Sequence, residues 1–272
     1  HSQRRLNMRN VICHYHIFKN SGTSFDTLLS ENFRHKHICF DGPFPFFTID
    51  QEQLSRIIER KQNVVAFSSH QIQLPVPVSL DFQVLPVVFI RHPLLRILSI
   101  YKFKRQTFDA TTTSKAAQDM SFDDWVTYCF SDRQEITQVS NSQTRLLGAA
   151  YRQRPLIRKR PSCMEYDIYQ AIKNIENVKL LARTEYFGED VSRFPKILDQ
   201  YNIEFKYADI KPQNTTSKDL HKSIEERIFN LKDHLSKDNF NRLIAANEQD
   251  MQLFEYSTKL IERAPENGFR NN

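Results

Sequence analysis

Apolar runs alternate with amphipathic segments through the first part of the chain. Residues 11–18 form an apolar and aromatic run with β-branched members, which predicts a buried strand. A helical pattern begins near Thr23, where Phe25, Leu28 and Leu29 recur at i, i+3 and i+4 spacing. The same patterns predict a weaker strand over 37–40, a helix marked by Leu54, Ile57 and Ile58, strands over 64–68 and 84–90, and a helix over 94–105.

The second half of the chain is more helical. Ser121 and Asp124 form a pattern typical of a capping box ahead of Trp125. Hydrophobic periodicity predicts helices over 134–147 and 165–175, a buried strand over 178–182, and two amphipathic helices between 218 and 263.

This alternation of strands and helices predicts a parallel sheet joined by right-handed crossovers. We therefore expect a single α/β domain over residues 11–264, with a mainly parallel central sheet of about five strands flanked by helices and a helical C-terminal part. Residues 1–10 and 265–272 are predicted tails. No apolar run approaches the roughly 18 residues of a membrane span, so no transmembrane segment is expected.

Composition narrows the classes of function. Only 5 of the 272 residues are glycine, whereas average usage would give roughly 19. Neither the G-x-G-x-x-G dinucleotide pattern nor the G-x-x-x-x-G-K-[ST] Walker loop is present. The net charge of +6 and the pI near 9.1 favour an anionic partner. Nucleic acid, a sulfated or phosphorylated small molecule and acidic polysaccharide all satisfy this condition.

The cysteines and histidines predict neither disulfides nor a metal centre. Four cysteines are widely scattered without a C-x-x-C pair, which is typical of free thiols in a reducing compartment. His14 and His16 share one strand face, and His35 and His37 share another, but neither a cysteine nor a carboxylate completes a ligand spacing. The cysteines are Cys13, Cys39, Cys129 and Cys163.

The turn between the first predicted strand and helix is a candidate anion site. Backbone N–H groups at a helix N-terminus favour an anion, and Thr23 and Ser24 add hydroxyl donors. Gly22 would let the backbone approach a phosphate closely. Lys19 supplies a mobile charge. An ordinary strand-to-helix turn with hydroxyl caps and a solvated lysine explains this segment equally well.

A second candidate site follows the strand over 84–90. Arg91 lies at the carboxyl edge of that strand, where open α/β sheets bind ligands. If Pro93 opens a helix, Ser99 lies two turns into it. In isolation, these residues are better explained as an arginine at a sheet edge and a serine buried in a helix.

The segment 16–25, HIFKNSGTSF, resembles the H-I-P-K-T-G-G-T-S motif of sulfotransferases that use 3′-phosphoadenosine 5′-phosphosulfate (PAPS). The resemblance is greatest to the carbohydrate-type branch and its bacterial relatives. Phe18 replaces the usual proline, and Asn20 and Ser21 replace threonine and glycine. The resemblance implies a P-loop-like phosphate site in which Lys19 assists sulfuryl transfer. The implied donor-binding residues are Lys19, Asn20, Ser21, Gly22, Thr23 and Ser24.

The segment 91–101, RHPLLRILSIY, resembles a second motif of the same family, R-[DH]-P-x-x-R-x-x-S-x-Y. This resemblance implies that Arg91 and Ser99 bind the 3′-phosphate of PAPS. The two motifs occur in the expected order, and the resemblance spans roughly residues 11–190.

The acceptor side is predicted from the remaining resemblances. Transfer to a hydroxyl needs a general base, and His70, just past the strand over 64–68, resembles the catalytic histidine of the carbohydrate-type branch. The segments 141–145 and 183–185 also resemble family segments, although helix surface and a local ion pair explain them equally well. Candidate acceptor-side residues are His16, Gln143, Arg145 and Glu185.

These features predict a sulfotransferase that moves a sulfuryl group from PAPS to an acceptor hydroxyl, with a carbohydrate as the expected acceptor. Adenosine 3′,5′-bisphosphate would be the product, and neither a metal nor a nucleic acid partner is expected. The alternative is a non-catalytic basic module for nucleic acid or acidic polysaccharide, resting on the net charge and the cluster at 152–160. The expected location is cytoplasmic, or the Golgi lumen if the chain is a trimmed catalytic domain.

Overall fold

A sheet of five parallel strands lies at the centre of the computed structural model. The structure describes residues 8–43, 48–107, 112–148, 165–208 and 223–263. The strand order β2-β3-β1-β4-β5 places β1 between β3 and β4, and every neighbouring pair is parallel. The predicted α/β fold with a parallel sheet is therefore confirmed. The strands are β1 (Arg9–Tyr15), β2 (His37–Cys39), β3 (Ala66–Ser69), β4 (Phe82–Ile90) and β5 (Leu180–Arg183).

Helices connect the strands and form most of the C-terminal half. Short 3₁₀ turns cover Arg34–Lys36, Glu135–Gln138 and Thr184–Tyr186. The helices are α1 (Gly22–Phe33), α2 (Gln51–Arg60), α3 (Pro93–Gln106), α4 (Thr112–Asp119), α5 (Phe122–Ser131), α6 (Ser142–Leu147), α7 (Glu165–Glu176), α8 (Phe187–Val191), α9 (Phe194–Asp199), α10 (Ile224–Lys232), α11 (Lys237–Ala246) and α12 (Glu248–Arg263).

The sheet separates two apolar cores. Successive side chains of a strand point to opposite faces, so Val88 and Ile90 of β4 join one core, whereas Val87 and Phe89 join the other. Burial on both faces explains why β4 has a nearly continuous apolar sequence. A third apolar cluster around Trp125 joins α3 to α5.

Several element boundaries differ from the predictions. β1 begins at Arg9, earlier than predicted, because Arg9 and Asn10 pair with Phe82 and Gln83 of β4. The Arg9 guanidinium also donates to the carbonyls of Ile58 at 2.7 Å and Val64 at 2.9 Å. The predicted continuous helix over 134–147 is wrong, because Asn141 has a left-handed φ of 46° that separates a 3₁₀ turn from α6. The C-terminal part has three described helices where two are predicted, because the second predicted helix is divided at Asn247 into α11 and α12.

The described helices and cysteines bear on two further predictions. None of the described helices has the combination of length and apolarity needed to cross a bilayer. Cys13, Cys39 and Cys129 are free thiols. Cys163 and the basic cluster at 152–160 lie outside the described residues.

Candidate active site

A cavity of about 1110 Å³ opens at the carboxyl end of the sheet. This is slightly above the usual range of small-molecule pockets, about 300–1000 Å³. The loop after β1, the first turns of α1 and the residues that follow β3 and β4 contribute to its wall. Of the predicted site residues, those lining the cavity are His16, Lys19, Ser21, Gly22, Thr23, Ser24, His70 and Arg91.

The loop after β1 has a tight backbone that is held from behind by two arginines. Lys19 and Ser21 have left-handed φ values of 64° and 60°, a conformation that is uncommon without glycine. Arg91 Nη1 donates to the Lys19 carbonyl at 2.7 Å, and Arg96 Nε donates to the Phe18 carbonyl at 3.1 Å. Both arginines of the second motif therefore fix the shape of the first.

The N-terminus of α1 faces the cavity with unused donors. The first helical bond runs from the Phe25 N–H to the Ser21 carbonyl at 3.0 Å, so the N–H groups of Gly22, Thr23 and Ser24 have no intrahelical acceptor. Ser21 does not cap the helix with its side chain, and the first turn has no acidic residue. This arrangement suits a phosphate or sulfate group.

Gly22 has a packing role beside the one predicted. A Cβ atom at this position would lie 1.7 Å from Nε2 of His16. The His16 ring thus occupies the space that any side chain at position 22 would need. Packing against His16, rather than approach to a phosphate alone, accounts for the glycine.

Asn20 lies behind the loop. Its side chain is fully buried and donates to the Phe89 carbonyl at 2.9 Å and to Gln143 Oε1 at 2.8 Å. The Asn20 backbone N–H donates to the Ile17 carbonyl at 3.1 Å. The side chain therefore points away from the cavity, and it joins the loop to β4 and α6 in place of contacting a ligand.

Gln143 and Arg145 are also turned inward. Gln143 accepts from the Arg91 N–H at 3.0 Å and donates back to the Arg91 carbonyl at 2.8 Å. Arg145 is buried and donates from Nη2 to Ser140 Oγ at 3.2 Å. The structure thus places the predicted acceptor-side segment of α6 behind the cavity, where Gln143 positions the backbone of Arg91.

Asp250 is a site-supporting residue that sequence reasoning missed. This buried carboxylate accepts from the Thr144 N–H at 2.8 Å, the Thr144 hydroxyl at 2.7 Å and the Gln143 N–H at 3.2 Å. It thereby holds the start of α6 against α12. The sequence does contain an indication of this role. Asp250 stands three residues after Asn247 and four before Phe254, so it places a charge on the predicted apolar face of a helix.

Lys19 and Arg91 carry positive charge at the cavity wall beside the loop after β1. Lys19 Nζ lies 4.8 Å from the centroid of the Phe103 ring, and burial together with the neighbouring Arg91 charge lowers the pKa of Lys19. Arg91 Nε lies 3.9 Å from Glu185 Oε1, and the same carboxylate oxygen accepts from the His92 N–H at 2.9 Å. Burial raises the pKa of Glu185, against the opposing effect of Arg91.

Ser99 is half-buried on α3 and is not among the described residues that line the cavity. Phe103, one turn further along the same helix, does line it. The structure therefore brings Arg91, but not Ser99, to the cavity wall.

His70 forms a dyad with Asp41, another residue that sequence reasoning missed. His70 Nδ1 lies 3.0 Å from Asp41 Oδ2, and the His70 N–H donates to Asp41 Oδ1 at 2.9 Å. The Ser69 hydroxyl donates to the same Oδ1 at 2.8 Å. The pairing favours the tautomer with a proton on Nδ1, which leaves Nε2 as a base. The signal was the position of Asp41 directly after a predicted strand, at the edge where His70 was expected.

Three histidine rings form a row, in which His16 and His70 line the cavity and His14 is buried. The His16 ring lies 3.8 Å from the His70 ring and 5.0 Å from the His14 ring, measured between centroids. Burial and the neighbouring imidazoles lower the pKa of His16 to about 4. His16 is therefore neutral near neutral pH and adds no positive charge beside His70.

Asp26 lies below this row. It pairs with His14 Nδ1 at 2.8 Å and accepts from the Ser68 hydroxyl at 2.6 Å. Burial alone would raise its pKa, but these hydrogen bonds hold the pKa of Asp26 below its ordinary value. A half-buried carboxylate is thus kept charged at the cavity wall.

The parallel sheet, the helix N-terminus with N–H groups facing the cavity and the strand-end histidine define an α/β protein with a candidate site for an anionic ligand. The chain belongs to the sulfotransferase family, whose match covers residues 3–257. Sulfuryl transfer is therefore its reaction class. The chain is also similar to an uncharacterized protein of Archaeoglobus fulgidus, with 25% identity over 252 residues, which cover 91% of this chain and 95% of that protein.

Proposed function

We propose that the protein is a PAPS-dependent O-sulfotransferase that acts on a carbohydrate hydroxyl. The observation that carries the proposal is one cavity wall shared by Lys19, the N-terminus of α1, Arg91 and His70. Cationic and N–H donors on one side suit a donor with two phosphate groups. A histidine base on the other side suits a hydroxyl acceptor. The carbohydrate class rests on the motif resemblance.

N–H groups and cationic side chains on this side of the cavity offer a partner for each anionic group of PAPS. PAPS supplies a sulfuryl group that is activated by its S–O bond to a phosphate. The free N–H groups of Gly22, Thr23 and Ser24 would hold the 5′-phosphosulfate, and Lys19 would stabilise charge on the departing phosphate oxygen. Arg91, oriented by Glu185, would bind the 3′-phosphate, and Ser99 remains a predicted partner there.

His70 would act as the general base on the acceptor side. The acceptor oxygen forms the new bond to sulfur, the bond between sulfur and the phosphate oxygen breaks, and the acceptor proton passes to His70 Nε2. Asp41 holds His70 Nδ1–H during this step and stabilises the imidazolium that forms. Because His16 stays neutral, it does not oppose that charge.

Thermal unfolding with nucleotides tests the donor assignment. We expect adenosine 3′,5′-bisphosphate to raise the Tm more than 5′-AMP does, because only the former has the phosphate that Arg91 would bind. Arg91→Met should bring the two shifts together. Equal stabilisation of the unchanged protein by both nucleotides, or by neither, would contradict the donor assignment.

Turnover with labelled PAPS and a panel of carbohydrate acceptors tests the rest. His70→Ala should lower turnover about 100-fold or more while the Tm shift with adenosine 3′,5′-bisphosphate persists. His35→Ala is the matched control because His35 is exposed and outside the cavity lining. Unchanged turnover in His70→Ala would remove this residue from the role of base.

A further inference from the structure

Three side chains of metal-binding type meet at the cavity wall beside the histidine row. Asp26 comes from α1, and His37 and Cys39 come from β2. Their ligand atoms all lie within 4.8 Å of one another. Cys39 Sγ lies 3.7 Å from His37 Nε2 and 3.9 Å from Asp26 Oδ2, and His37 Nε2 lies 3.9 Å from Asp26 Oδ1.

These separations are close to those of a tetrahedral zinc site. Zinc–sulfur, zinc–nitrogen and zinc–oxygen bonds of about 2.0–2.3 Å at tetrahedral angles separate the ligand atoms by about 3.4–3.6 Å. The two separations from Cys39 Sγ, 3.7 Å to His37 Nε2 and 3.9 Å to Asp26 Oδ2, exceed these by a few tenths of an ångström. The 3.9 Å from His37 Nε2 runs to the other carboxylate oxygen, Oδ1, and with one oxygen per carboxylate the three ligand atoms lie within 4.8 Å of one another. Rotation of the Asp26 carboxylate would therefore have to accompany binding of an ion.

The surrounding hydrogen bonds orient the ligands. His37 Nδ1 lies 2.9 Å from Ser30 Oγ, a contact that would fix the proton on Nδ1 when Nε2 binds an ion. His37 Nε2 lies 2.9 Å from Ser68 Oγ, and an ion would replace this contact. His14 and Ser68 both contact Asp26 Oδ1, which leaves Oδ2 as the oxygen nearest the thiol. Outer partners of this kind are typical of built metal sites.

An ion has a route to the site. Asp26 and Cys39 line the cavity, and the Cys39 side chain is exposed. The sulfur and imidazole ligands favour zinc and its neighbours over magnesium or calcium. The expectation that neither a cysteine nor a carboxylate accompanies the histidine pairs fails at His37, because folding brings Cys39 and Asp26 beside it.

We propose that Asp26, His37 and Cys39 bind one divalent transition-metal ion, Zn²⁺ by its chemistry, with the fourth coordination position facing the cavity. Asp26 binds as a carboxylate and His37 as a neutral imidazole. Cys39 binds as a thiolate, so one thiol proton is released to solvent and no atom is oxidised or reduced. The fourth position would take water or a ligand that enters the cavity.

Titration of the full chain with Co²⁺ alone tests the site. We expect one equivalent to bind with a thiolate-to-cobalt charge-transfer band and the visible bands of four-coordinate cobalt, and Zn²⁺ to displace it. Cys39→Ser should abolish the charge-transfer band. His37→Asn should weaken Co²⁺ binding more than about tenfold, whereas the matched control His35→Asn, an exposed histidine two residues earlier, should not.

The outcomes are separable from those of the proposed function. Absence of the charge-transfer band, its persistence in Cys39→Ser, or equal weakening by His35→Asn and His37→Asn would each overturn the metal site. Far-ultraviolet circular dichroism checks that the variants fold, and Cys39→Ser is an exposed, conservative change. Nucleotide binding without Co²⁺ binding overturns the metal site alone, whereas the reverse result overturns the donor assignment alone.

Discussion

His16 and His92 each follow a central strand of the sheet, and burial lowers the ring pKa of both to about 4. The neighbouring imidazoles of His14 and His70 add to the effect at His16. The His92 side chain instead caps the N-terminus of α3, since Nδ1 accepts from the Leu94 N–H at 3.2 Å. Both residues are built into the fold as neutral rings.

This burial predicts an acid-sensitive fold. In the unfolded chain both histidines take up protons near their ordinary pKa of 6.5, but in the folded chain they do so only near pH 4. Between these values the unfolded state binds more protons, so the free energy of unfolding falls as pH falls from 6.5 to 4. The effect is on the order of a few kcal/mol per histidine.

Urea unfolding across this pH range measures the loss. His92→Asn should flatten the curve, because asparagine also caps a helix N-terminus but does not titrate. His35→Asn, a change at an exposed position, should leave the curve as it is. A curve that is equally steep with and without His92 would refute its part in the acid sensitivity.

At the scale of elements, α6 and α12 act on the loop after β1 without lining the cavity. Asp250 holds the start of α6, Gln143 of that helix holds the backbone of Arg91, and Arg91 holds the Lys19 carbonyl. Each link is a hydrogen bond to a backbone group. The loop can therefore keep positive φ values at Lys19 and Ser21 without glycine, because the elements behind it fix its conformation.

Asp250→Asn tests this chain of contacts. The NH₂ group of the asparagine would face one of the N–H or O–H groups that now donate to the carboxylate. We therefore expect a loss of about 1–3 kcal/mol in the free energy of unfolding. The midpoint concentration of adenosine 3′,5′-bisphosphate in the thermal shift should also rise, because the loop is less well fixed. Glu248→Gln, an exposed change on the same helix, is the control. A normal nucleotide response in folded Asp250→Asn would separate α12 from the loop.

The elements that sequence predicts well are those whose pattern is local. A continuous apolar run identifies β4, and the i, i+3, i+4 spacing identifies the apolar face of α1. The capping pattern at Ser121 is confirmed for the Ser121 side chain, which accepts from the Asp124 N–H at 3.2 Å. The breaks at Asn141 and Asn247 are set by contacts between distant segments. Asn247 Nδ2, for example, donates to the Val139 carbonyl at 2.8 Å.

The same limit applies to the candidate site. The motifs identify Lys19, Gly22, Arg91 and His70 because these residues stand next to predicted strand ends. The pairing of His70 with Asp41 joins residues 29 positions apart, and Asp250 is more than 100 positions from its partners. Hydrophobic periodicity carries no information on such pairings, so they become visible only once the strand order is known.

At the scale of the whole molecule, the strand order divides the cavity into two halves. β1 and β4 are neighbours, and the residues that follow them, Lys19 and Arg91, carry the donor-side charge. β2 and β3 are neighbours on the other side of β1, and the residues that follow them are Asp41 and His70. Donor binding and proton removal are thus expected to be separable.

Asp41→Asn tests the separation. We expect turnover to fall at least tenfold, because the tautomer of His70 is no longer fixed and its charged form is no longer stabilised. The thermal shift with adenosine 3′,5′-bisphosphate should persist, since no donor-side contact changes. Loss of the nucleotide shift together with turnover would contradict the division.

The contact between His16 and position 22 limits which pairs of residues related proteins can carry at these two positions. A side chain at position 22 is excluded only while an imidazole occupies its space. Substitution at one of these positions therefore changes which residues the other can accept. Lineages that keep the histidine should keep the glycine, and a lineage that replaces the histidine by a small residue becomes free to vary position 22. The two positions should therefore be inherited as a pair.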